Sequence, residues 1–173
     1  MGETSVLIDV RGIFYRAIDR RFRAAALAGS RAPGRYSRSH QPTLYLSATR
    51  EGVEAAMIAH RGARAAQLDI VAVEVTASRI ADLRDTSAME SLGIDPSDAT
   101  APWQEKVEVG ETPPSWHVRD RLVSAGAQGL IDPSRKRPPL WHLVLFRWNV
   151  PDGPSVQPLG AEDGFDGGGA SRS

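Results

Sequence analysis

The chain has 173 residues, with 21 Lys and Arg against 21 Asp and Glu, and it contains no Cys. This length suits a single domain, and the missing cysteines exclude disulfide bonds, thiolate nucleophiles and cysteine zinc sites. The balanced charge argues against a nucleic-acid or anionic membrane surface, and neither a signal peptide nor an apolar run of roughly 20 residues is visible, so we expect a cytoplasmic protein.

The first predicted elements occupy the N-terminal third of the chain. Residues 6–18 mix aliphatic and aromatic side chains around Gly12, which predicts two short strands or a strand leading into a helix. Residues 19–28 indicate a short helix, and residues 29–41, rich in Gly, Pro, Arg and Ser, indicate a loop. A compact strand is predicted at residues 43–47.

The middle of the chain alternates helical and extended patterns. An Ala-rich helix is predicted over residues 51–65, followed by an alternating strand over 69–76. Residues 82–112 are polar and contain several prolines, which allows short helices at best. A helix that begins with prolines is then predicted over residues 113–126.

The C-terminal part contains two predicted strands and a change in composition. Residues 129–132 indicate a short strand, and the nearly continuous apolar run over 140–148 indicates a strand in the centre of a sheet. From residue 151 Pro, Gly, Asp and Ser dominate, which predicts a folded domain over 1–150 and a disordered tail over 151–173. Short strands interleaved with short helices favour an α+β fold.

Several common site chemistries have no motif here. The sequence contains no Walker or dinucleotide glycine loop, no Gly-x-Ser-x-Gly turn and no spacing typical of metal ligands. Four histidines are scattered along the chain and are individually best interpreted as structural or exposed: His40, His60, His117 and His142.

A set of polar residues in loops and at element ends remains as a candidate site. Arg35 lies in the predicted loop, Tyr45 in the strand after it, and Ser134 at the end of a later strand. Glu51 and Glu54 share a face of the Ala-rich helix. Spacing alone favours a purely structural role for each of them. Arg35 would be a solvated loop charge, Tyr45 a core residue and Ser134 a turn residue, and the two glutamates would lie on a solvent-exposed helix face.

The order of short motifs along the chain adds a second argument. The chain resembles the RES family, named for an Arg, a Glu and a Ser, from about residue 14 to residue 148. The matching pieces are Phe14-Tyr-Arg16, Pro-Gly-Arg35-Tyr-Ser, Pro42-Thr-Leu-Tyr45-Leu-Ser, the Ala-rich helix, Gly129-Leu-Ile-Asp-Pro-Ser134-Arg and Leu140-Trp-His-Leu-Val-Leu-Phe.

This resemblance implies a fold and an activity. It implies an α+β fold like that of ADP-ribosyltransferases, with small mixed or antiparallel sheets and flanking helices. It also implies NAD as substrate, inorganic phosphate as co-substrate where the reaction is phosphorolysis, and no metal. Many relatives are toxins of toxin–antitoxin pairs with a helix-turn-helix antitoxin as partner, and relatives often form homodimers.

Four positions take roles from the resemblance. Arg16, Arg35, Tyr45 and Ser134 would bind NAD, and Arg35 and Ser134 would also serve catalysis. The chain departs from the family around Arg35, because the usual glycine pair is Pro33-Gly34 and the usual Trp-Asn is Tyr36-Ser37.

The family Glu is the larger departure. In relatives it lies about eleven residues after the Tyr, and that position here is Ala56. Glu54 is the nearest carboxylate, but a shift of two residues on an ideal helix is a rotation of about 200°. We expect either that Glu54 takes the catalytic role through a local change of the helix, or that the site lacks its carboxylate.

Three functions are therefore compatible with the resemblance. The first is cleavage of the nicotinamide–ribose bond of NAD by a bacterial toxin, as a phosphorylase or a glycohydrolase. The second is transfer of ADP-ribose to a protein. The third is a degenerate domain that binds a nucleotide or a partner without turnover, which Ala56 favours.

Overall fold

A computed structural model describes residues 5–58, 68–135 and 137–159, with the backbone alone for 55–58. Six strands form one sheet in the order β1-β2-β5-β4-β3-β6, and a second pairing of β1 with β3 closes five of them into a barrel. The strands are β1 (Leu7–Asp19), β2 (Leu44–Ser47), β3 (Leu68–Asp82), β4 (Gly129–Pro133), β5 (Trp141–Leu145) and β6 (Ser155–Pro158). This confirms the α+β class.

The long strands β1 and β3 form the back of the barrel. They pair antiparallel along most of their length, with a bulge between Ile8 and Val10. Alternation explains the pairing, because Val73 and Val75 are buried inside while Glu74 lies exposed between them. The expectation of two short elements over residues 6–18 is wrong: the apolar face of one continuous strand runs through the segment.

The front of the barrel consists of three short strands. β5 pairs antiparallel with β2 on one side and with β4 on the other, and β4 pairs parallel with β3. The central position predicted for the 140–148 segment is confirmed, although regular pairing ends at Leu145.

Helices connect and flank the strands. They are α1 (Arg50–Ile58), α2 (Thr86–Ser91), α3 (Pro96–Thr100), α4 (Gln104–Glu108) and α5 (Pro114–Ser124), and a short 3₁₀ helix follows β1 at Arg20–Ala25. Asp85 and Asp95 cap α2 and α3 by accepting bonds from backbone amides. The remainder of the helix predicted to residue 65 lies outside the described residues. No helix in the described ranges is long and apolar enough to cross a membrane.

The predicted boundary at residue 150 differs from the structure. β6 pairs antiparallel with β3, with Val156 opposite Val75, and Val156 is 1% exposed. Asn149 holds the turn before β6, because its side-chain amide exchanges two hydrogen bonds with the backbone of Val156. The strand was not predicted because the segment is mostly polar and only one of its apolar side chains, Val156, is buried. Residues 160–173 of the predicted tail lie outside the described residues.

Apolar side chains form two clusters, one on each face of the front strands. Leu44, Leu46, Leu143 and Leu145 point into the barrel. Between them along the chain, Tyr45 and Val144 point outward and pack with side chains of α5 and the segments before it. The outer face of β2, β5 and β4 is therefore covered at its centre by helices, and polar side chains follow at the end where β4 terminates.

Candidate functional site

The candidate site lies on the outer face of the front strands, at the end where β4 stops. Ser47, His142 and Asp132 are aligned across β2, β5 and β4 by the strand register. Asp132 and Ser47 are both buried, at 6% exposure each. Because aligned residues of adjacent strands share a face, three polar groups lie side by side on an otherwise apolar surface.

Asp132 is the centre of a charged network. The Tyr36 hydroxyl donates to Asp132 Oδ1 at 2.9 Å, and Arg135 donates to both carboxylate oxygens, each at 3.1 Å. Burial, followed by the charge of Asp132, raises the pKa of Tyr36, so this phenol stays protonated. Burial lowers the pKa of Arg135, but its contacts with Asp132 and Tyr36 raise it overall.

Arg35 and Arg135 meet at one backbone oxygen. Arg35 Nη1 donates to the carbonyl oxygens of Ala99 at 3.0 Å and Ala101 at 2.8 Å, and Arg135 Nη2 donates to Ala99 at 2.8 Å. Burial, and secondly the charge of Arg135, lowers the pKa of Arg35. Two guanidinium groups are thus held side by side at the end of α3.

The loop that carries Arg35 is fixed by α5. Three of its side chains donate to consecutive backbone carbonyls of the loop: Ser115 to Arg35, Trp116 to Gly34 and Arg119 to Tyr36. Such bonds remove most of the freedom of an otherwise irregular segment. Residues 34–36 of the predicted loop are therefore held against α5.

Tyr45 is bound to the same loop. Its hydroxyl lies 2.7 Å from Ser37 Oγ and accepts the Tyr36 amide at 3.2 Å. A Cβ at Gly34 would lie 2.6 Å from this hydroxyl, so the close approach requires glycine. Burial raises the pKa of Tyr45.

His142 and Ser47 form a second polar pair in this row. His142 Nδ1 lies 3.0 Å from Ser47 Oγ. Burial lowers the pKa of His142, with smaller opposing effects from Asp132 and Arg135. The imidazole is therefore neutral at physiological pH, which makes it a hydrogen-bonding group at that pH.

Ser134 and Arg16 lie near the ends of their strands. Ser134 lies between Asp132 and Arg135 along the chain, and its side chain is buried. Its Oγ accepts a hydrogen bond from the Arg137 backbone amide at 3.2 Å. Arg16 shares a face of β1 with Phe14, and its Nη1 is buried without a hydrogen bond in the described part of the chain. Burial lowers the pKa of Arg16. No bond joins Arg16 to the other predicted residues within that part.

Glu54 is not brought to this site. It is exposed on α1, and its carboxylate makes no described hydrogen bond or ion pair. Gly52 is the residue of α1 that approaches the site, since a Cβ there would lie 3.2 Å from Ser47 Cβ. Two residues further on, Glu54 points away from that side of the helix.

The structure therefore brings Arg35 and Tyr45 close to Asp132 and leaves Glu54 apart. Ser134 follows Asp132 by two residues, but its described bonds go to the backbone of Arg137 and Leu140. Sequence reasoning assigned no role to Tyr36, Asp132 or Arg135. The available signal was the spacing of Asp132 and Arg135 on either side of Ser134, but an Asp and an Arg three residues apart are too common to identify a site. In the described ranges no group of three His, Cys, Asp or Glu residues could hold a metal ion.

Comparisons with known proteins identify the family and a similar fold. A comparison with curated proteins gives no sequence match. Among solved structures, a chain of the crystal structure of the M. tuberculosis MbcT-MbcA toxin-antitoxin complex is similar in fold, with a TM-score of 0.55 and 16% sequence identity, covering 89% of this chain and 84% of that one. The family model described as RES domain matches residues 13–165. Since that match spans most of the sequence, the chain belongs to the RES family.

Proposed function

We propose that this protein cleaves the nicotinamide–ribose bond of NAD, by phosphorolysis or hydrolysis, as a toxin of a toxin–antitoxin pair. The observation that carries the proposal is that Arg35 and Tyr45 lie close to Asp132 and Arg135, which come from a distant part of the sequence, in a member of the RES family. We further propose that the barrel and its helices are related to the ADP-ribosyltransferase fold.

Nicotinamide is a good leaving group, so its departure needs little assistance from the protein. Nicotinamide attached to ribose already carries a positive ring charge, so the barrier lies in the positive charge that develops on the ribose. The protein must therefore hold the diphosphate, orient the sugar and admit phosphate or water on its open face.

Arginine is suited to the first of these tasks. Arg35 uses only Nη1 in its described bonds, and the planar guanidinium offers further donors that match phosphate oxygens. Tyr45 would place its ring and hydroxyl beside the ribose or nicotinamide. Ser134 would bind a ribose or phosphate oxygen, and it need not act as a nucleophile.

The carboxylate is the weakest part of the proposed active site. A negative charge near the ribose would stabilise the transition state, and Glu54 is the residue proposed for it from the sequence. Its exposed position on α1 favours a second candidate function, a RES domain that binds a nucleotide or a partner with little or no turnover.

The proposed toxin role implies a partner protein and a cellular location. The solved structure with the similar fold is described as a toxin–antitoxin complex. By analogy we propose a helix-turn-helix antitoxin as partner, a homodimer as the assembly and the cytoplasm as the location.

Nicotinamide release from NAD tests the activity. The purified protein is assayed with and without inorganic phosphate, next to Arg35→Ala and next to Arg31→Ala, a control from the same loop whose exposed side chain makes no described bond. We expect release by the wild type and by Arg31→Ala, and a loss of about 100-fold or more in Arg35→Ala.

The outcomes separate the candidates. Phosphate-dependent release indicates a phosphorylase and phosphate-independent release a glycohydrolase, while label from NAD that remains on a protein indicates an ADP-ribosyltransferase. Binding of NAD without release would replace the enzyme with the binding domain. Equal rates in all three proteins would contradict the placement of the site at Arg35.

A further inference from the structure

We propose that Arg135 is a second phosphate-binding arginine, which Asp132 and Tyr36 hold beside Arg35 so that the two guanidinium groups form one cradle for a diphosphate. The inference deepens the proposed function and rests on it for the identity of the natural ligand. It assigns binding to Arg135 and a positioning role to Asp132 and Tyr36.

The position of Arg135 is fixed by several contacts. Its two terminal nitrogens each bond one oxygen of Asp132, in the planar fork that arginine forms with carboxylates. The same carboxylate also accepts the Tyr36 hydroxyl, and Tyr36 is 1% exposed. A buried aromatic ring thus anchors the carboxylate, and the carboxylate in turn anchors the cation.

The fixed position lies directly beside Arg35. Both side chains donate to Ala99 O, Arg35 from Nη1 and Arg135 from Nη2. Each guanidinium group is thereby oriented by the same carbonyl. The two cations are therefore adjacent, and a diphosphate that spans them would bond the Nε and Nη2 of Arg35 and the Nε of Arg135, since the terminal nitrogens of Arg135 already bond Asp132 and Ala99.

The charges around the pair do not balance. Two cations face one carboxylate, Asp132, among the residues described as bonding to them. Like charges this close repel each other, and partial burial weakens screening by water. A bound anion would offset that repulsion, which is the physical reason to expect one here.

Donors remain free for such an anion. Arg135 keeps 31% of its side chain exposed, and Arg35 is half-buried with its Nε and Nη2 outside the described bonds. The alternative is purely structural: both arginines would serve only to bond the carbonyls at the end of α3. The two roles differ in what they predict for anion affinity of the folded protein.

Calorimetric titration with inorganic pyrophosphate separates the two roles. The full chain is compared with Arg135→Gln, with Arg135→Lys, and with the control Arg31→Gln, which removes one exposed positive charge elsewhere. We expect Arg135→Gln to weaken pyrophosphate binding by about ten- to a hundredfold, the loss of one or two charge-assisted bonds. Arg135→Lys should lose less, because it keeps the charge without the fork, and Arg31→Gln should bind like the wild type.

Asp132→Asn distinguishes position from charge. Removal of a negative charge by itself would tighten pyrophosphate binding, whereas loss of the fork that holds Arg135 would weaken it. We expect weaker binding, and tighter binding would overturn the positioning role of Asp132. Thermal unfolding of each variant shows that the titrations report on folded protein, and Arg135→Lys carries the test if Arg135→Gln does not fold.

The two proposals fail in different ways. If the wild type binds no pyrophosphate, or if Arg135→Gln and Arg135→Lys bind it as the wild type does, the cradle is wrong and the arginine is structural, even where nicotinamide release is observed. If pyrophosphate binds with the expected losses but no nicotinamide is released from NAD, the cradle stands and the proposed enzyme activity fails.

Discussion

At the scale of single residues, the carboxylate of the site depends on two neighbouring positions of α1. Gly52 approaches Ser47, whereas Glu54 is exposed. Position 56 follows Gly52 by four residues, so one turn of helix returns the backbone to the side that approaches Ser47. A glutamate at position 56 would therefore start from the side of α1 that faces the site.

Substitutions at positions 54 and 56 test which of them can supply the carboxylate of the site. We expect Ala56→Glu to raise the rate of nicotinamide release by about tenfold or more, because a negative charge would then stand near the developing positive charge of the ribose. Glu54→Ala should leave the rate unchanged, as should Glu51→Ala, another exposed carboxylate of the same helix. A loss of activity in Glu54→Ala alone would show instead that Glu54 reaches the substrate.

Residues of the site differed in how far the sequence could predict them. Arg35 and Tyr45 could be named in advance because the order of motifs around them is that of a known family. Asp132 and Arg135 could not, because their importance comes from contacts with Tyr36 and Ala99, which are 96 and 36 residues away along the chain. Such contacts leave no local pattern.

At the scale of elements, local sequence patterns predicted the strands in the middle of the sheet, whereas composition gave a wrong prediction for the strand at its edge. β3 was visible from its alternating valines, and β5 from its apolar run. β6 was mistaken for part of a tail, because only Val156 of its four residues is buried and the other three are exposed. An edge strand of this kind is stabilised by its neighbour, β3, rather than by its own sequence.

A pair of substitutions in β6 tests whether it belongs to the folded domain. Val156→Asp places a charge against the buried cluster and should lower the free energy of unfolding by more than about 3 kcal/mol. Gln157→Asp, the next residue and exposed, should change it by about 1 kcal/mol or less. Chemical denaturation measures both, and similar small effects would mean that β6 contributes little to the fold.

At the scale of the whole molecule, closure of the barrel sets the position of the site. The β1–β3 pairing brings the ends of one sheet together, and the register across β2, β5 and β4 then aligns Ser47, His142 and Asp132. This alignment buries polar groups as well as apolar ones. The stability of the whole fold should consequently depend on pH through the polar row.

His142 determines the direction of that dependence. Its pKa is lower in the folded chain than the ordinary value of about 6.5 expected after unfolding. Between these two values the unfolded chain binds more protons, so the free energy of unfolding falls as the pH decreases below about 6.5. The pKa values of Asp82 and Asp120 are also lowered, but they change the free energy of unfolding only at more acidic pH, around and below the ordinary carboxyl pKa of about 4, outside this window.

Unfolding curves measured between about pH 7.5 and pH 5 check this dependence. These pH values lie about one unit or more to either side of the ordinary histidine pKa of about 6.5. We expect the denaturation midpoint of the wild type to fall with decreasing pH, and the slope to flatten in His142→Gln. His117→Gln, which removes an exposed histidine of α5, should keep the slope of the wild type. An unchanged slope in His142→Gln would show that another group carries the dependence.

The sequence by itself determined the class of the fold, the strands β2 to β5, the helices α1 and α5, the family, and two residues of the candidate site, Arg35 and Tyr45. These follow from local periodicity, from proline and glycine, and from the order of short motifs, all of which are written along the chain. The tertiary structure alone decided the closure of the barrel, the strand at residues 155–158, the exposed position of Glu54 and the network of Tyr36, Asp132 and Arg135. Each of these depends on which distant segments lie side by side, and the free energy of such contacts belongs to the packed pair rather than to either segment.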